Sequence, residues 1–346
     1  MNISPAHTPL VVVTRGVGSA QSVESVHYGS IAVVDAKGHV CWSAGDAHAL
    51  TFSRSTLKPF QALPFMNAGG VRAMKWGTRE TALMCASHSG EEVHSELART
   101  MLASFGCDES HLRCGCHVPL RYTALDITPP KRKWDQTYNN CSGKHAGFLA
   151  YCKLTETPLE TYLDEGHPLQ KAIRASVAAH SGVDESRLVV GIDGCSAPNY
   201  ALPLANLARL FALLARPEQA GESAESLACL SAAMRAHPEL VSGGGRSDVA
   251  FMHAFGAPDD GDVVAKIGAG GVQLLGVRSA GLGIAIKIAD GNAQALYCAA
   301  VAALDQLGLL DDTRRAALAV YARPAIRNCV GTVTGEWRAA FSLARA

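Results

Sequence analysis

The amino-acid sequence predicts an α+β protein in which an antiparallel sheet contains an inserted helical region. Strand-like segments occupy about the first 50 residues and return at about 262–290, and the segments between them are mostly helical. Strands and helices that are segregated along a chain, rather than alternating one by one, are typical of α+β folds. No repeat or linker divides the chain, so we expect a single catalytic domain over residues 1–346.

The N-terminal half begins with strands and then changes to helices. The turn "DAKGH" between the apolar runs of "GSIAVVDAKGHVCWSAGD" predicts a hairpin. Helical periodicity starts at Leu57 and continues through "KPFQALPFMNAG" and "RETALMCAS". A further helix is predicted over 91–106, where Gly106 ends it. Residues 107–146 are rich in Cys, Pro and Gly and are predicted to be irregular.

The C-terminal half returns from helices to strands. Helices are predicted in "HPLQKAIRASVAAHSG", over 200–215 and in "AESLACLSAAMRAHP", with a strand in "LVVGIDG" and a loop over 216–223. Three strands follow in "DVVAKIGAGG", "VQLLGVRS" and "GLGIAIKIADG". A helix over 293–310 and a shorter one come next, and the tail after about 310 carries little signal.

Composition limits the classes of function. Lys plus Arg and Asp plus Glu each total 31, so the zero formal charge favours neither a nucleic-acid partner nor an anionic membrane. No apolar run approaches the ~20 residues of a membrane span, and the N-terminus lacks the pattern of a secretory signal. The 11 cysteines are an odd number, which favours reduced thiols over a disulfide framework. We therefore expect a cytoplasmic protein that acts on a small molecule.

A serine and a lysine three residues apart stand at the start of a predicted helix. In "FSRSTLKPFQ", Ser55 precedes Lys58 by one helical turn, so both lie on one face. A serine hydroxyl becomes nucleophilic only with a base beside it, and a neutral lysine amine can be that base. A serine cap followed by a solvated lysine has the same spacing. Taken alone, the motif leaves both interpretations open.

Two further polar positions could complete such a site. Ser87, in "CASHSGEE", could relay a proton, although a serine there can also cap the next helix. Lys266, in "AKIGAGG", lies beside glycines that permit another group to approach closely. A second buried lysine would keep Lys58 neutral by like-charge repulsion. A solvated lysine on a strand edge would have no such effect.

Two cysteines and a lysine form a candidate metal site. Cys141 and Lys144 share a helix face in "NNCSGKHAGFLAYC", and Cys195 follows a strand in "GIDGCSAPN". Thiolates suit zinc, whereas lysine is a rare ligand because its ammonium must first lose a proton. The Gly-Lys pair is not a phosphate-binding loop, because the first glycine and the final Ser or Thr of that motif are missing. The cysteines of "RCGCHVP" lack the paired spacing of a zinc ribbon.

Together these segments resemble the third class of L-asparaginases, the rhizobial type of the asparaginase II family. The matching stretches are "VESVHYGSIAVVD", "SRSTLKPFQ", "CASHSGEE", "NNCSGKHAGFL", "GIDGCSAPN" and "AKIGAGG", in order from about residue 11 to 290. The resemblance implies a fold similar to that of the serine β-lactamases and glutaminases. It also implies hydrolysis of L-asparagine to L-aspartate and ammonia, and a homodimer.

The resemblance also implies roles for individual residues. Ser55 would be the nucleophile that forms a β-aspartyl ester, Lys58 its base, and Ser87 with Lys266 a second serine–lysine pair. Zn²⁺ would be bound by Cys141, Lys144 and Cys195, and would organise the pocket rather than perform the hydrolysis. Residues expected at the substrate are Arg54, His88 and Asp193. Arg54 could bind the substrate carboxylate, with a structural salt bridge as an equal alternative, and Asp193 would contact either the bound water or the substrate ammonium.

Two other functions stay open on the sequence alone. A β-lactamase-like or peptidase-like hydrolase could use the same serine–lysine pair on another acyl group. A non-enzymatic zinc or redox module could be built on the cysteines. Ammonia release from asparagine, hydrolysis of a chromogenic β-lactam, and metal analysis would distinguish the three.

Overall fold

A computed structural model describes residues 6–16, 18, 21–256 and 261–346. Its strands are β1 (Thr8–Arg15), β2 (Ser22–Asp35), β3 (Val40–Ala44), β4 (Leu50–Phe52), β5 (Val189–Ile192), β6 (Pro198–Pro203), β7 (Val263–Gly268), β8 (Val272–Val277), β9 (Leu282–Ile288), β10 (Ala325–Arg327), β11 (Val333–Ala339) and β12 (Ala344–Arg345). Its helices are α1 (Lys58–Asn67), α2 (Gly70–Met74), α3 (Thr78–Met84), α4 (Glu92–Ala103), α5 (Leu120–Ala124), α6 (Ser142–Leu154), α7 (Pro168–Ser181), α8 (Leu204–Ala215), α9 (Ala224–Ala236), α10 (Pro238–Val241), α11 (Ser247–Ala254), α12 (Ala293–Gln306) and α13 (Asp312–Ala322).

The main sheet is antiparallel and joins the two ends of the chain. Its strand order is β10-β11-β1-β2-β9-β8-β7, with β3 beside the second half of β2 and β12 beside β3. The central pair places Ile31 of β2 opposite Ile286 of β9. The predicted class, a mixture of helices and an antiparallel sheet, is therefore confirmed.

Helix α8 packs against the middle strands of this sheet, β2, β8 and β9. Close contact requires glycine on the strands, since a Cβ at Gly283 would lie 1.9 Å from the Ala208 carbonyl oxygen. Buried apolar side chains of the sheet and of the helical region form one continuous cluster. The sheet and the helices around α1, α3, α6 and α7 thus share a core.

The predicted helix over 200–215 is partly wrong. Residues Pro198–Pro203 form β6, which pairs with β4 and β5 in a small second sheet, and the helix begins only at Leu204. Pro203 sits at the helix N-cap, where its missing N–H and restricted φ are tolerated. In residues 200–203, pairing with the neighbouring strands outweighs the apolar helical pattern of the sequence.

The C-terminal tail, which carried little signal in the sequence, contributes strands. β11 pairs with β1 from Val11↔Ala339 to Arg15↔Gly335. The sheet predicted from the N-terminal residues and from 262–290 is therefore extended by β10, β11 and β12. Short strands that pair only with distant segments have weak local signals, because their stability comes from the partner strand.

No helix in the described part of the chain is long and apolar enough to cross a membrane.

Candidate active site

A pocket of about 380 Å³ lies where the segment before α1 meets the end of β7 and the start of α6. The polar side chains that line it include Arg54, Ser55, Ser87, Asn140, Cys141, Asp193, Cys195 and Arg246. The structure thus brings together six residues that the sequence singled out. Lys58, Lys144, Lys266 and His88 do not line this pocket but are buried near it.

Ser55 lies in a 3-10 turn, Arg54–Leu57, that leads directly into α1. The side chain is buried at the pocket wall, with 7% of its surface exposed. Its hydroxyl makes no hydrogen bond to another described residue. A serine whose oxygen faces a pocket without a partner is available to a ligand.

The backbone around Ser55 is held in a strained form. Arg54 has a φ of 49°, in the left-handed region that favours glycine. Asn199 of β6 fixes this conformation. Its Oδ1 accepts from the Arg54 N–H and its Nδ2 donates to the Arg54 carbonyl, and each of these hydrogen bonds is 3.1 Å long. Strained backbone of this kind costs about 1–3 kcal/mol and is concentrated at functional sites. Asn199 therefore helps to set the direction of the Ser55 side chain.

Lys58 is fully buried, and its amine donates to main-chain carbonyls. One acceptor is the Ala86 carbonyl and the other is the Asn140 carbonyl at 3.4 Å. Within the described residues, no hydrogen bond joins Lys58 to Ser55. The Lys58 nitrogen has three tetrahedral directions besides its bond to carbon, and the two carbonyls take up two of them. The third direction holds either another N–H or the lone pair of a neutral amine. The role of Lys58 as a base stays a prediction.

Ser87 is tied to the pocket through two residues that the sequence analysis did not single out. Its hydroxyl accepts from Asn140 Nδ2 at 2.9 Å, and its carbonyl accepts from Arg246 Nη1 at 2.8 Å. Asn140 stands immediately before Cys141, so its place in the motif could have pointed to it. Arg246, in a glycine-rich loop before α11, had no such signal.

Lys266 is buried on β7 and pairs with an acid that the sequence did not reveal. Its Nζ lies 3.5 Å from Asp248 Oδ2 and donates to the Ile267 carbonyl at 3.1 Å. Burial lowers the pKa of Lys266 to about 8, with Lys58 and Arg246 acting in the same direction and Asp248 opposing them. The like-charge repulsion predicted between the two lysines thus acts on Lys266.

His88 holds segments of the protein together. Its Nδ1 accepts from the Gly90 N–H at 3.1 Å, so Nε2 carries the proton and faces Ser142 Oγ at 2.9 Å. Burial, together with the charges of His94 and Lys58, holds the pKa of His88 well below its usual value. Both ring nitrogens are engaged and the ring is absent from the pocket lining, so His88 has no nitrogen left for a substrate.

Arg54 and Asp193, both expected at the substrate, form an ion pair. Arg54 Nε and Nη2 each lie 2.8 Å from Asp193 Oδ1, the same oxygen that accepts from the Gly194 N–H. Asp193 Oδ2 has no hydrogen-bond donor among the described residues. Of the two alternatives for Arg54, the structure has the salt bridge, while the second oxygen of Asp193 stays available.

The candidate zinc ligands lie in contact with one another. Lys144 Nζ donates to Cys195 Sγ at 3.0 Å, and the Cys141 thiol interacts with the Cys195 sulphur. The Cys141 thiol and the Lys144 charge lower the pKa of Cys195, which favours its thiolate. Burial opposes a charged Lys144, but the Cys195 and Cys141 sulphurs outweigh it and raise the pKa of Lys144.

The donor atoms of this cluster are of the kinds that bind a soft metal ion. Two sulphurs and an amine converge, and beside them the Nε2 of the fully buried His145 has no hydrogen-bond partner among the described residues. Among the described residues, no group of three or more His, Cys, Asp or Glu side chains is arranged to hold a metal. A metal here would therefore depend on Lys144 as a neutral ligand.

The chain is similar to known proteins in both sequence and structure. The model of the L-asparaginase II family matches residues 11–339. No curated protein matches the chain. One similar solved structure is described as Mglu in its native form, with 15% identity, a TM-score of 0.44 and coverage of 82% of this chain and 65% of that chain. Another is a β-lactamase from Mycobacterium bovis, with 16% identity, a TM-score of 0.39 and coverage of 85% of this chain and 95% of that chain.

The alignment to Mglu thus spans slightly less than two thirds of that chain. The family match covers nearly all of the present chain and includes every motif on which the predicted resemblance depends. The prediction of an L-asparaginase is confirmed at the level of the family: the chain belongs to the L-asparaginase II family.

Proposed function

We propose that this protein hydrolyses L-asparagine to L-aspartate and ammonia, with Ser55 as the nucleophile. The observation that carries the proposal is the Ser55 hydroxyl, which stands at the pocket without a hydrogen-bond partner among the described residues, on a strained turn at the start of a helix. The family match over residues 11–339 supports asparagine as the substrate. The positive end of the helix would favour the oxyanion that forms when the serine attacks.

The proposed reaction has two halves. Ser55 Oγ attacks the side-chain amide carbon, its proton passes to the neutral amine of Lys58, and the C–N bond breaks as the leaving nitrogen takes up a proton and departs as ammonia. Water then attacks the β-aspartyl ester, and the proton that it loses returns to Ser55. Ser87 lies in the same pocket and, with the buried Lys266, would assist proton transfer between the halves.

The cysteine–lysine cluster would hold Zn²⁺ through Cys141, Lys144 and Cys195. When bound, the ion would supply a fixed positive charge beside the pocket. Cys141 and Cys195 reach the pocket wall, and Asp193 is only two residues from Cys195. The cluster would thus position Asp193 and the pocket wall, while the serine performs the nucleophilic attack. A homodimer is part of the same proposal and rests on the family resemblance alone. A cytoplasmic location is also proposed, and it rests on the odd number of cysteines, which favours reduced thiols.

The nucleophile is tested with Ser55→Ala. Loss of the attacking oxygen should lower the kcat for ammonia release from L-asparagine by several orders of magnitude, on the order of the losses seen when other serine nucleophiles are removed. Circular dichroism should show an unchanged fold. The matched control is Ser53→Ala, because Ser53 is in the same segment but bonds to the Tyr200 carbonyl. We expect the control to keep activity within about tenfold.

Mass spectrometry of the wild-type protein, quenched during turnover and then digested, should show a β-aspartyl adduct on the peptide that contains Ser55. Near-normal turnover by Ser55→Ala would contradict the nucleophile. A wild-type protein that releases no ammonia from asparagine would contradict the activity itself.

The metal site is tested by elemental analysis of the purified protein and of Cys195→Ser. We expect about one zinc per chain in the wild type and a large loss in the variant, because a thiolate is a far stronger zinc ligand than a hydroxyl. Cys229→Ser is the control, since Cys229 is exposed and far from the cluster in sequence. Equal zinc in all three proteins would show that the ion binds elsewhere.

A further inference from the structure

Asparagine carries two charges away from the amide that is cleaved. Its α-carboxylate needs a cation or hydrogen-bond donors, and its α-ammonium needs an acceptor, because burying an unpaired charge is costly. Three charged side chains of the pocket wall have no place in the proposed chemistry: Arg54, Asp193 and Arg246. Their pairing shows which of these charges is already compensated.

The charges of Arg54 and Asp193 compensate each other. Both guanidinium contacts go to Asp193 Oδ1, and the salt bridge is partly buried, with 36% of the Arg54 side chain and 9% of the Asp193 side chain exposed. Asp193 Oδ2 keeps its lone pairs free, so it is placed to accept an ammonium. The salt bridge between Arg54 and Asp193 would have to break before Arg54 could neutralise a substrate carboxylate.

Arg246 differs because no acidic side chain in the described part of the chain forms a salt bridge with it. Its Nη1 donates to the carbonyls of Ser87 at 2.8 Å and Ser242 at 3.2 Å. These neutral acceptors hold the side chain in place without cancelling its charge. Nε and Nη2 donate to no other residue in the described part of the chain. The buried acid Asp248, two residues further along the chain, is occupied by Lys266, the Ile267 N–H, Gln273 and Ser242.

We infer that Arg246 binds the α-carboxylate of the substrate, while Asp193 Oδ2 accepts its α-ammonium. This inference rests on the proposed function and goes beyond it, because it identifies the residue that selects free α-amino acids. A guanidinium presents parallel N–H donors that match the two oxygens of a carboxylate. With Nη1 held by two carbonyls, the remaining donors are oriented before the substrate arrives.

The contact also connects substrate recognition to the site of reaction. Arg246 bonds to the carbonyl of Ser87, whose hydroxyl bonds to Asn140. A carboxylate bound to Arg246 is therefore one residue contact away from the proposed relay serine. Binding energy gained at the carboxylate can then be used to hold the amide at Ser55.

The test compares two substrates and two variants. The probes are L-asparagine and 3-aminopropanamide, which is asparagine with its carboxylate replaced by hydrogen. In the wild type we expect kcat/KM to be roughly 10- to 100-fold lower for 3-aminopropanamide, the range expected for a lost charge-assisted hydrogen bond. In Arg246→Gln, kcat/KM should fall by a similar factor for asparagine and stay nearly unchanged for 3-aminopropanamide. Arg246→Lys, which keeps the charge, should recover part of the loss.

Arg54→Gln is the matched control, because it removes the other guanidinium of the pocket wall. The preference for asparagine over 3-aminopropanamide should survive in Arg54→Gln. An equal loss on both probes in Arg246→Gln would make Arg246 a structural support of Ser87 and overturn the inference. Loss of the preference in Arg54→Gln, with Arg246→Gln unaffected, would overturn it as well.

Binding measurements separate this inference from the proposed function. By isothermal titration calorimetry, L-asparagine should bind Ser55→Ala roughly 10- to 100-fold more tightly than it binds the double variant Ser55→Ala/Arg246→Gln. If the wild type releases no ammonia but this difference is present, the hydrolytic function is wrong and the carboxylate site stands. Equal affinities in an active enzyme would leave the function intact and remove the carboxylate site.

Discussion

At the residue scale, the site depends on which buried charges find partners. Asp248 gathers its donors from three parts of the chain, among them Lys266 at 3.5 Å and the Ile267 N–H at 3.0 Å. The carboxylate of Asp248 stabilises the buried Lys266 in a region that already contains the buried Lys58. A buried ammonium without such a partner would be strongly disfavoured. With its pKa lowered to about 8, Lys266 titrates about one pH unit above neutrality.

The pH dependence of folding follows from the lowered pKa of Lys266. The amine has a pKa of about 8 in the folded protein and 10.5 as a model group, so between these values the unfolded chain holds more protons. Stability then rises with pH across this window, by up to about 1.4 kcal/mol per unit. The penalty for the buried charge is fully present below pH 8 and disappears as the pH approaches 10.5.

Urea unfolding of the wild type and of Lys266→Met between pH 7 and 10 checks this expectation. The free energy of unfolding of the wild type, minus that of the variant, should increase above about pH 8. Lys171→Met, which changes an exposed lysine, should follow the wild-type curve. Parallel curves for wild type and Lys266→Met would mean that Lys266 does not titrate in this window.

At the scale of elements, the site depends on how closely the end of β7 approaches the turn before α1. Gly268 makes this approach feasible, because a Cβ there would lie 3.1 Å from both the Ser53 carbonyl oxygen and Thr56 Cγ2. The same contact places the strand that carries Lys266 beside the turn that carries Ser55. The end of a strand and the beginning of a helix, which are far apart in the sequence, thereby line one pocket.

Gly268→Ala should disturb this contact without unfolding the protein. The added methyl must displace the turn by a few tenths of an ångström, so we expect roughly a tenfold fall in kcat/KM for asparagine and about 1 kcal/mol lower stability. Gly166→Ala is the control, since a Cβ at Gly166 has open space around it. Unchanged kinetics in Gly268→Ala would show that the position of Ser55 tolerates the displacement.

At the scale of the whole molecule, the C-terminal strands complete the sheet beside β1. β11 covers β1 over five residue pairs, and Trp337 of β11 stacks on His27 of β2 with ring centroids 5.1 Å apart. Without β11, the backbone donors and acceptors of β1 that face away from β2 would be unpaired. Exposed strand edges of this kind promote pairing with other chains.

A chain that ends at Arg323 should therefore melt at a temperature at least about 5 °C lower and should aggregate. Differential scanning calorimetry and size-exclusion chromatography measure the two effects. A chain that ends at Ala339 keeps β11 and is the control. A truncated chain that ends at Arg323 and stays monodisperse with an unchanged melting temperature would contradict a structural role for the tail.

Much of this protein was determined by its sequence. Helical periodicity, the hairpin turn and the apolar strands each depend on neighbouring residues, so the antiparallel α+β class and most elements were predictable. The motif residues Ser55, Ser87, Cys141 and Cys195 were also identifiable, but only from the set of motifs together, because each alone is equally compatible with a helix cap or a packed thiol. The family follows from the order of those motifs.

The tertiary structure alone decided which charges meet. Arg54 pairs with Asp193, 139 residues away, and Lys266 with Asp248, 18 residues away, while Arg246 is left with neutral partners. It also decided that His88 is enclosed and that β11 lies beside β1. Coulomb energies and hydrogen bonds depend on distances of a few ångströms, and folding sets those distances between residues whose separation along the chain does not reveal them.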